Sequence, residues 1–217
     1  MHHHDVGRFG EWAPSYEQHW MVRRIIAPVQ EAVLEAAAAQ VPQPKAILDV
    51  GCGTGRLLRA AAARFPAARL DGVDAAEGMV KQAAAALPPG LDIRFQQATA
   101  EALPFGDDSF DLVLSTMTFH HWADQQKAIG EVSRVLAPGG RWLLADFIAK
   151  GLMVFIAPLL RIGRVQRRSR LDSMLAAHGL AVVAEKRVPG MAGNIPVLAI
   201  AATASRQMER AMGIEPT

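Results

Sequence analysis

From residue 45 onward, short apolar runs alternate with longer alanine-rich stretches. Short apolar runs bounded by turn residues fit buried strands, and stretches with apolar residues three and four apart fit helices. Strands are predicted at residues 46–50, 69–73, 92–96, 111–115, 141–146, 181–186 and 196–202. Helices are predicted at 55–64, 77–87, 124–136 and 167–178, the last closing at Gly179 as a C-cap. Pro88-Pro89-Gly90 and Ala137-Pro138-Gly139-Gly140 each stop a helix before a strand, and Asp107-Asp108-Ser109 turns the chain ahead of Phe110. Upstream, residues 22–39 read as an amphipathic helix with Ile25, Ile26, Val29, Val33 and Leu34 on one side. Strand and helix in strict alternation predict an α/β fold with a parallel sheet and crossover helices.

Composition narrows the class only a little. The 217 residues fit one domain with a sizeable core, and much of the 51% hydrophobic content is alanine. A net charge of +2 does not point to nucleic acid or another highly charged partner. Cys52 is the one cysteine, which excludes an internal disulfide framework and a multi-cysteine zinc site. Residues 1–10 lack the apolar core of a signal peptide, and the apolar stretch 151–160 is too short to span a bilayer. The expectation is a soluble, cytoplasmic protein without a metal site. His2, His3 and His4 read as a terminal, tag-like run. Residues 1–40 are expected to form a lid and helix, 41–204 the core, and 205–217 a disordered tail.

The chemistry concentrates where the first strand ends, in Leu48-Asp49-Val50-Gly51-Cys52-Gly53-Thr54-Gly55. Glycines there let the backbone turn tightly and approach a ligand that a Cβ would displace. A dinucleotide site uses a similar loop but seats a pyrophosphate on the helix N-terminus. Asp49 would repel that phosphate and suits a cation, such as the α-ammonium of a methionine moiety. The spacing is also G-x-G-x-G, not G-x-G-x-x-G. Asp74, closing the next strand, lies where an acid accepts from both ribose hydroxyls. The plainer alternatives are a structural glycine turn and a solvated strand-end aspartate.

These stretches, with Leu70–Met79, Ala100-Glu101-Ala102-Leu103-Pro104-Phe105 and Glu131–Gly140, resemble the class I S-adenosylmethionine-dependent methyltransferases. The resemblance is to the branch that includes ubiquinone and menaquinone biosynthesis enzymes, and it spans about residues 9 to 145. It implies a doubly wound, Rossmann-like, seven-stranded mixed sheet, six strands parallel and the last antiparallel, with helices on both faces. It implies S-adenosyl-L-methionine as cofactor, with Asp49, Gly51, Cys52, Gly53, Asp74, Ala75, Met79, Ala100 and Ser115 around it. Thr99 stands where the family often has an aspartate at the adenine amino group, and its hydroxyl can still accept there.

The acceptor is expected beyond the fourth strand, beside Ser115-Thr116-Met117-Thr118-Phe119-His120-His121-Trp122. His120 and His121 are the candidate bases; the plainer alternative is that they cap the following helix and pack against the sheet, with His121 the more structural of the two. Tyr16 joins them as a tentative catalytic residue from a lid-like segment that includes Phe9 and Trp12. The acceptor is expected to be small, apolar or lipid-like. Residues 151–170 pair an apolar run with arginines and offer a peripheral membrane contact. The rival readings are a cofactor-binding subunit without turnover and an NAD-dependent oxidoreductase.

Overall fold

The computed structural model describes residues 13–20, 22–149, 165–190 and 193–203. His2 to His4, Phe9, Trp12, the apolar run at 151–160 and the stretch 205–217 lie outside the described residues. The elements are α1 (Ala27–Gln40), β1 (Ala46–Val50), α2 (Arg56–Arg64), β2 (Arg69–Asp74), α3 (Glu77–Ala85), β3 (Arg94–Gln97) and β4 (Phe110–Thr116). They continue with α4 (Gln125–Val135), β5 (Leu136–Ala145), β6 (Ile148–Ala149), β7 (Gln166–Arg167), α5 (Arg168–Ala176), β8 (Leu180–Gly190) and β9 (Gly193–Ala202).

Seven strands form one mixed sheet in the order β3-β2-β1-β4-β5-β9-β8, and β6 pairs with β7 apart from it. All pairings from β3 to β5 are parallel, while β9 is antiparallel to both β5 and β8. The reversed strand is therefore the last in sequence but lies one place in from the edge. β1 is central and buried at every position, as an apolar strand covered on both faces must be.

The strand alternation divides the core into two layers. Leu48, Val50, Val113, Trp142 and Leu144 face α4 and α5, meeting Ala128, Ile129, Val132, Leu171 and Leu175. Ile47, Leu112, Leu114, Leu143 and Ala145 face α1 and α2, meeting Val29, Val33, Ala37, Leu57 and Leu58. Helix α1 thus belongs to the same apolar core as the sheet.

Several boundaries differ from the sequence expectation. Residues 22–39 are not one α-helix: Val22–Ile26 is a π-helical turn, and the α-register begins at Ala27. Pro28 has no N–H to donate to the preceding turn, so the chain restarts its helix around it. Strand β5 begins at Leu136, five residues before the expected 141, because the Pro138-Gly139-Gly140 stretch is absorbed as a register shift opposite Phe110/Leu112. Among the described residues, no helix is long and apolar enough to cross a membrane. Within the arginine-rich stretch, Arg168 is held by Asp172 at 2.8 Å and Glu185 at 2.5 Å.

Candidate functional site

The carboxyl ends of β1, β2, β4 and β5 meet at one edge, and the glycine turn after β1 organises it. Gly51 and Cys52 donate their N–H groups to Val73 O at 2.8 and 2.9 Å, which folds the turn back over β2. Gly51, Gly53 and Gly55 all have positive φ, at 80°, 53° and 75°, a region that L-residues enter at a cost. Their surroundings differ. A Cβ on Gly51 would fall 2.1 Å from Thr118 Oγ1, so the turn is packed directly on the segment after β4. A Cβ on Gly53 would meet nothing within 4 Å. That open side is where a ligand can reach the backbone.

Two acids stand beneath the turn. Asp49 is 2% exposed, and its Oδ1 has no hydrogen-bond partner among the described residues. Burial and then the neighbouring Asp74 charge push its carboxyl up to about 8. Asp74 accepts from Gly53 N and Ala76 N, both at 2.9 Å. Burial raises its pKa, and these two backbone bonds oppose the rise. Each oxygen retains acceptor capacity beyond one bond. An orphaned buried carboxylate calls for a cation, and a diol suits the second acid. A methionine ammonium and a ribose fit this pair; a pyrophosphate does not.

A cleft partly open to solvent runs from here past the ends of β3 and β4. Gly51, Asp74, Ala75, Thr99 and Ala100 of the expected set line it, together with Val50, Ala98, Glu101, Thr118 and Trp122. Glu101 accepts from Ala123 N at 2.8 Å and Asp124 N at 3.1 Å, and bonds the Thr99 hydroxyl. With its proton directed to Glu101, the Thr99 hydroxyl keeps acceptor capacity at the cleft wall. The cleft wall is bolted to α4. Arg134 donates to Phe105 O and Asp107 Oδ1, each at 2.8 Å, and to Leu103 O at 3.1 Å. Its partner Glu131 accepts from Leu103 N at 2.8 Å.

Other expected residues are placed elsewhere. Ser115 is fully buried, and its hydroxyl accepts from Trp142 Nε1 at 3.2 Å, so it is a core partner outside the cleft lining. Cys52 is buried beside Gly53 O, with its thiol pKa raised by that burial and by both acids. Met79 packs with Ala13, Ala76 and Tyr16. Burial, with the Asp74 charge behind it, pushes the Tyr16 hydroxyl up to about 12. Next to it, Glu17 accepts from Thr54 Oγ1 at 2.6 Å and Arg59 Nη2 at 2.5 Å, tying the Ala13–Gln18 turn to the glycine loop.

The histidines also reverse an expectation. His120 is the buried one, with Nδ1 2.6 Å from Asp146 Oδ1 and its backbone N 3.2 Å from Oδ2. His121 is half-buried, its ring 4.0 Å from that of His120. Asp146, Glu101 and Trp122 were not singled out in the sequence. Asp146 carries a signal that could have found it, an acid closing a core strand as Asp49 and Asp74 do. Among the described residues, no group of three or more His, Cys, Asp or Glu is arranged to hold a metal ion.

Residues 47–140 match the family model described as a methyltransferase domain. The chain is 38% identical over 143 residues to the demethylmenaquinone methyltransferase of Thermus thermophilus, covering 64% of this chain and 64% of that protein. It is 38% identical over 139 residues to the malonyl-[acyl-carrier protein] O-methyltransferase of Geobacter sulfurreducens, covering 64% of this chain and 51% of that one. The chain therefore spans about half to two thirds of the length of these curated relatives. Among solved structures, the YcgJ protein of Bacillus subtilis aligns with a TM-score of 0.67 at 26% identity, over 78% of this chain and 97% of that one. The PH0226 protein of Pyrococcus horikoshii shares the fold, with a TM-score of 0.68 at 19% identity over 87% of this chain and 98% of that one.

Proposed function

Because this chain belongs, through residues 47–140, to the class I S-adenosylmethionine-dependent methyltransferases of the ubiquinone and menaquinone branch, we propose that it methylates a small, apolar or lipid-like acceptor. The observation that carries this reading is the pair of buried acids, Asp49 and Asp74, around the open side of Gly53. S-adenosylmethionine, when bound, supplies a methyl group made electrophilic by a sulfonium. The protein's task is then positioning and exclusion of water. Asp49 would hold the ammonium, Gly51 and Gly53 would admit the cofactor backbone, and Asp74 would take the ribose hydroxyls. Thr99 and Ala100 would meet the adenine edge, with Ala75 flanking the ring and Met79 supporting it from behind. Tyr16, packed against Ala76 and Met79 and close enough to Asp74 to feel its charge, would help to shield the site from water.

The curated relatives are named for different acceptors, a demethylmenaquinone and a malonyl-[acyl-carrier protein], so the acceptor has to be read from this chain's own residues beyond β4 and β5. Calorimetry with S-adenosylhomocysteine and NAD tests the cofactor reading. S-adenosylhomocysteine should bind and NAD should not, and Asp74→Ala should weaken binding by about 1.5–3 kcal/mol, the scale for losing hydrogen bonds to a charged group. Equal binding of NAD, or an unchanged affinity in Asp74→Ala, would remove the acids from the site.

A further inference from the structure

We propose that Glu17 is a positioning residue: by joining Thr54 to Arg59 it latches the Ala13–Gln18 turn onto the glycine loop and sets how long the cofactor stays bound. The inference rests on the cofactor reading above and concerns release from that same site.

The turn is anchored at two places, on two different loops. Ala13 and Tyr16 pack against Ala76 and Met79, which open α3 beyond β2. One residue later, beyond β1, Glu17 accepts from Thr54 Oγ1 at 2.6 Å and from Arg59 Nη2 at 2.5 Å. The Ala13–Gln18 turn therefore bridges the two loops that carry Gly53 and Asp74, which are themselves joined by the bond from Gly53 N to Asp74 Oδ2. A ligand that takes Asp74 and the open side of Gly53 occupies the space between these anchors, so its exit depends on whether the turn stays in place.

The two anchors differ in kind. The apolar one is non-directional and does not by itself fix how the turn lies. The polar one is directional, and its receiving side is built without Glu17. Arg59 donates Nη1 to Thr54 O at 2.6 Å, and Arg56, also on α2, donates to Gln30 of α1 at 2.5 Å. Thr54 is 2% exposed, so withdrawing Glu17 would take from a buried hydroxyl the acceptor it has among the described residues. Burial draws the Glu17 carboxyl upward, but the Thr54 and Arg59 bonds and the nearby arginine charges outweigh it and hold it below the usual glutamate range. Glu17 is therefore ionised near neutral pH, and both of its bonds are charge-assisted. Thr54 also lies between Gly53 and Gly55, whose left-handed bends carry its hydroxyl to Glu17. The latch closes on a loop already shaped to receive the ligand.

Stopped-flow displacement of S-adenosylhomocysteine from the full chain tests the latch. Glu17→Ala should speed dissociation by about tenfold, the lower end for a hydrogen bond to a charged group because Glu17 is 40% exposed. The association rate should change by less than about threefold, since such substitutions act mainly on dissociation. Glu17→Gln keeps an acceptor for Thr54 but loses the charge, and should fall between the two. Thr54→Val removes the hydroxyl at nearly constant shape. Combined with Glu17→Ala it should add little further acceleration, because both remove one contact. A tie that merely stabilises the fold would lower the melting temperature of cofactor-free protein and leave dissociation unchanged, and that outcome overturns the latch. A double variant whose acceleration is the product of the single ones overturns it as well. Should Glu17→Ala fail to fold, Glu17→Gln and Thr54→Val carry the same comparison. Failure of the unmodified chain to bind S-adenosylhomocysteine would bring down the cofactor reading too, whereas normal binding with unaltered release in every variant removes the latch alone.

Discussion

Beyond β1 and β2 the ligand edge is made of backbone; beyond β4 and β5 it is made of side chains. On the first side, glycines with positive φ fold the chain tightly and leave empty space beside Gly53, and two acids sit fixed beneath them. On the second, an aromatic cluster holds a short turn so that one histidine meets one aspartate. The first arrangement suits a ligand that never varies, because it recognises common features by close approach. The second can be altered residue by residue without disturbing the loop, and so it is where acceptor choice would be set. Gly51 joins the two halves, since it touches Thr118 where any larger residue would press them apart.

The contrast can be broken most severely at that joint. Gly51→Val should destabilise the fold by about 3 kcal/mol or more, combining an overpacked contact with a left-handed backbone. Gly53→Ala should cost only about 1–2 kcal/mol for its φ and yet lose cofactor affinity at least as strongly. Chemical denaturation and calorimetry on the two variants measure both quantities. Equal stability losses would mean that Gly51 is as unencumbered as Gly53.

A second measurement sharpens the electrostatic side of the comparison. Asp49 has its carboxyl raised from the usual range near 4 to about 8 by burial and by Asp74. A group that holds its proton more tightly when folded adds stability that is complete below the unfolded pKa, and that stability disappears as pH rises through the folded value. Cofactor-free protein should therefore lose stability between about pH 4 and pH 8, and Asp49→Asn should flatten that slope in thermal melts. A ligand ammonium favours the ionised form, so binding of S-adenosylhomocysteine near neutral pH should release a proton. Calorimetry in buffers of unequal ionisation enthalpy detects it.

The smallest expected effect lies at Thr99. Removing one neutral acceptor by Thr99→Ala should weaken cofactor binding by about 0.5–1.5 kcal/mol, the scale of a single neutral hydrogen bond. A loss as large as that of Asp74→Ala would show that the Thr99–Glu101 link, not the hydroxyl alone, shapes the adenine end.

The same division explains what the sequence disclosed. The cofactor side is written in consecutive residues, so Asp49, the glycines and Asp74 could be picked out by spacing alone. The acceptor side depends on which strands lie adjacent: Asp146 is 26 residues from His120, and only the β4–β5 pairing makes them neighbours. Adjacent histidines cannot be ranked by pattern either, because a 3-10 turn sends successive side chains in different directions. Ser115 misled for a related reason. A small polar residue near a strand end reads as a ligand contact, but the Trp142 indole was its partner. The strand order followed from alternation and family resemblance, whereas the Pro28 restart and the early start of β5 were local events that periodicity smooths over.

The placement of β9 between β5 and β8 bears on how the molecule is made. β8 and β9 pair along a long antiparallel register, from Leu180↔Ala202 to Gly190↔Gly193, a set of short-range contacts that can form early and together. The far edge of β5, however, has no partner until residues 193–202 have left the ribosome, although it carries Trp142 at the centre of the aromatic cluster. The finished hairpin therefore completes both layers of the core: Ile195, Val197 and Ala199 join Val29, Val33, Leu57 and Leu58 on one face of the sheet, while Leu198 and Ile200 join Trp142 on the other.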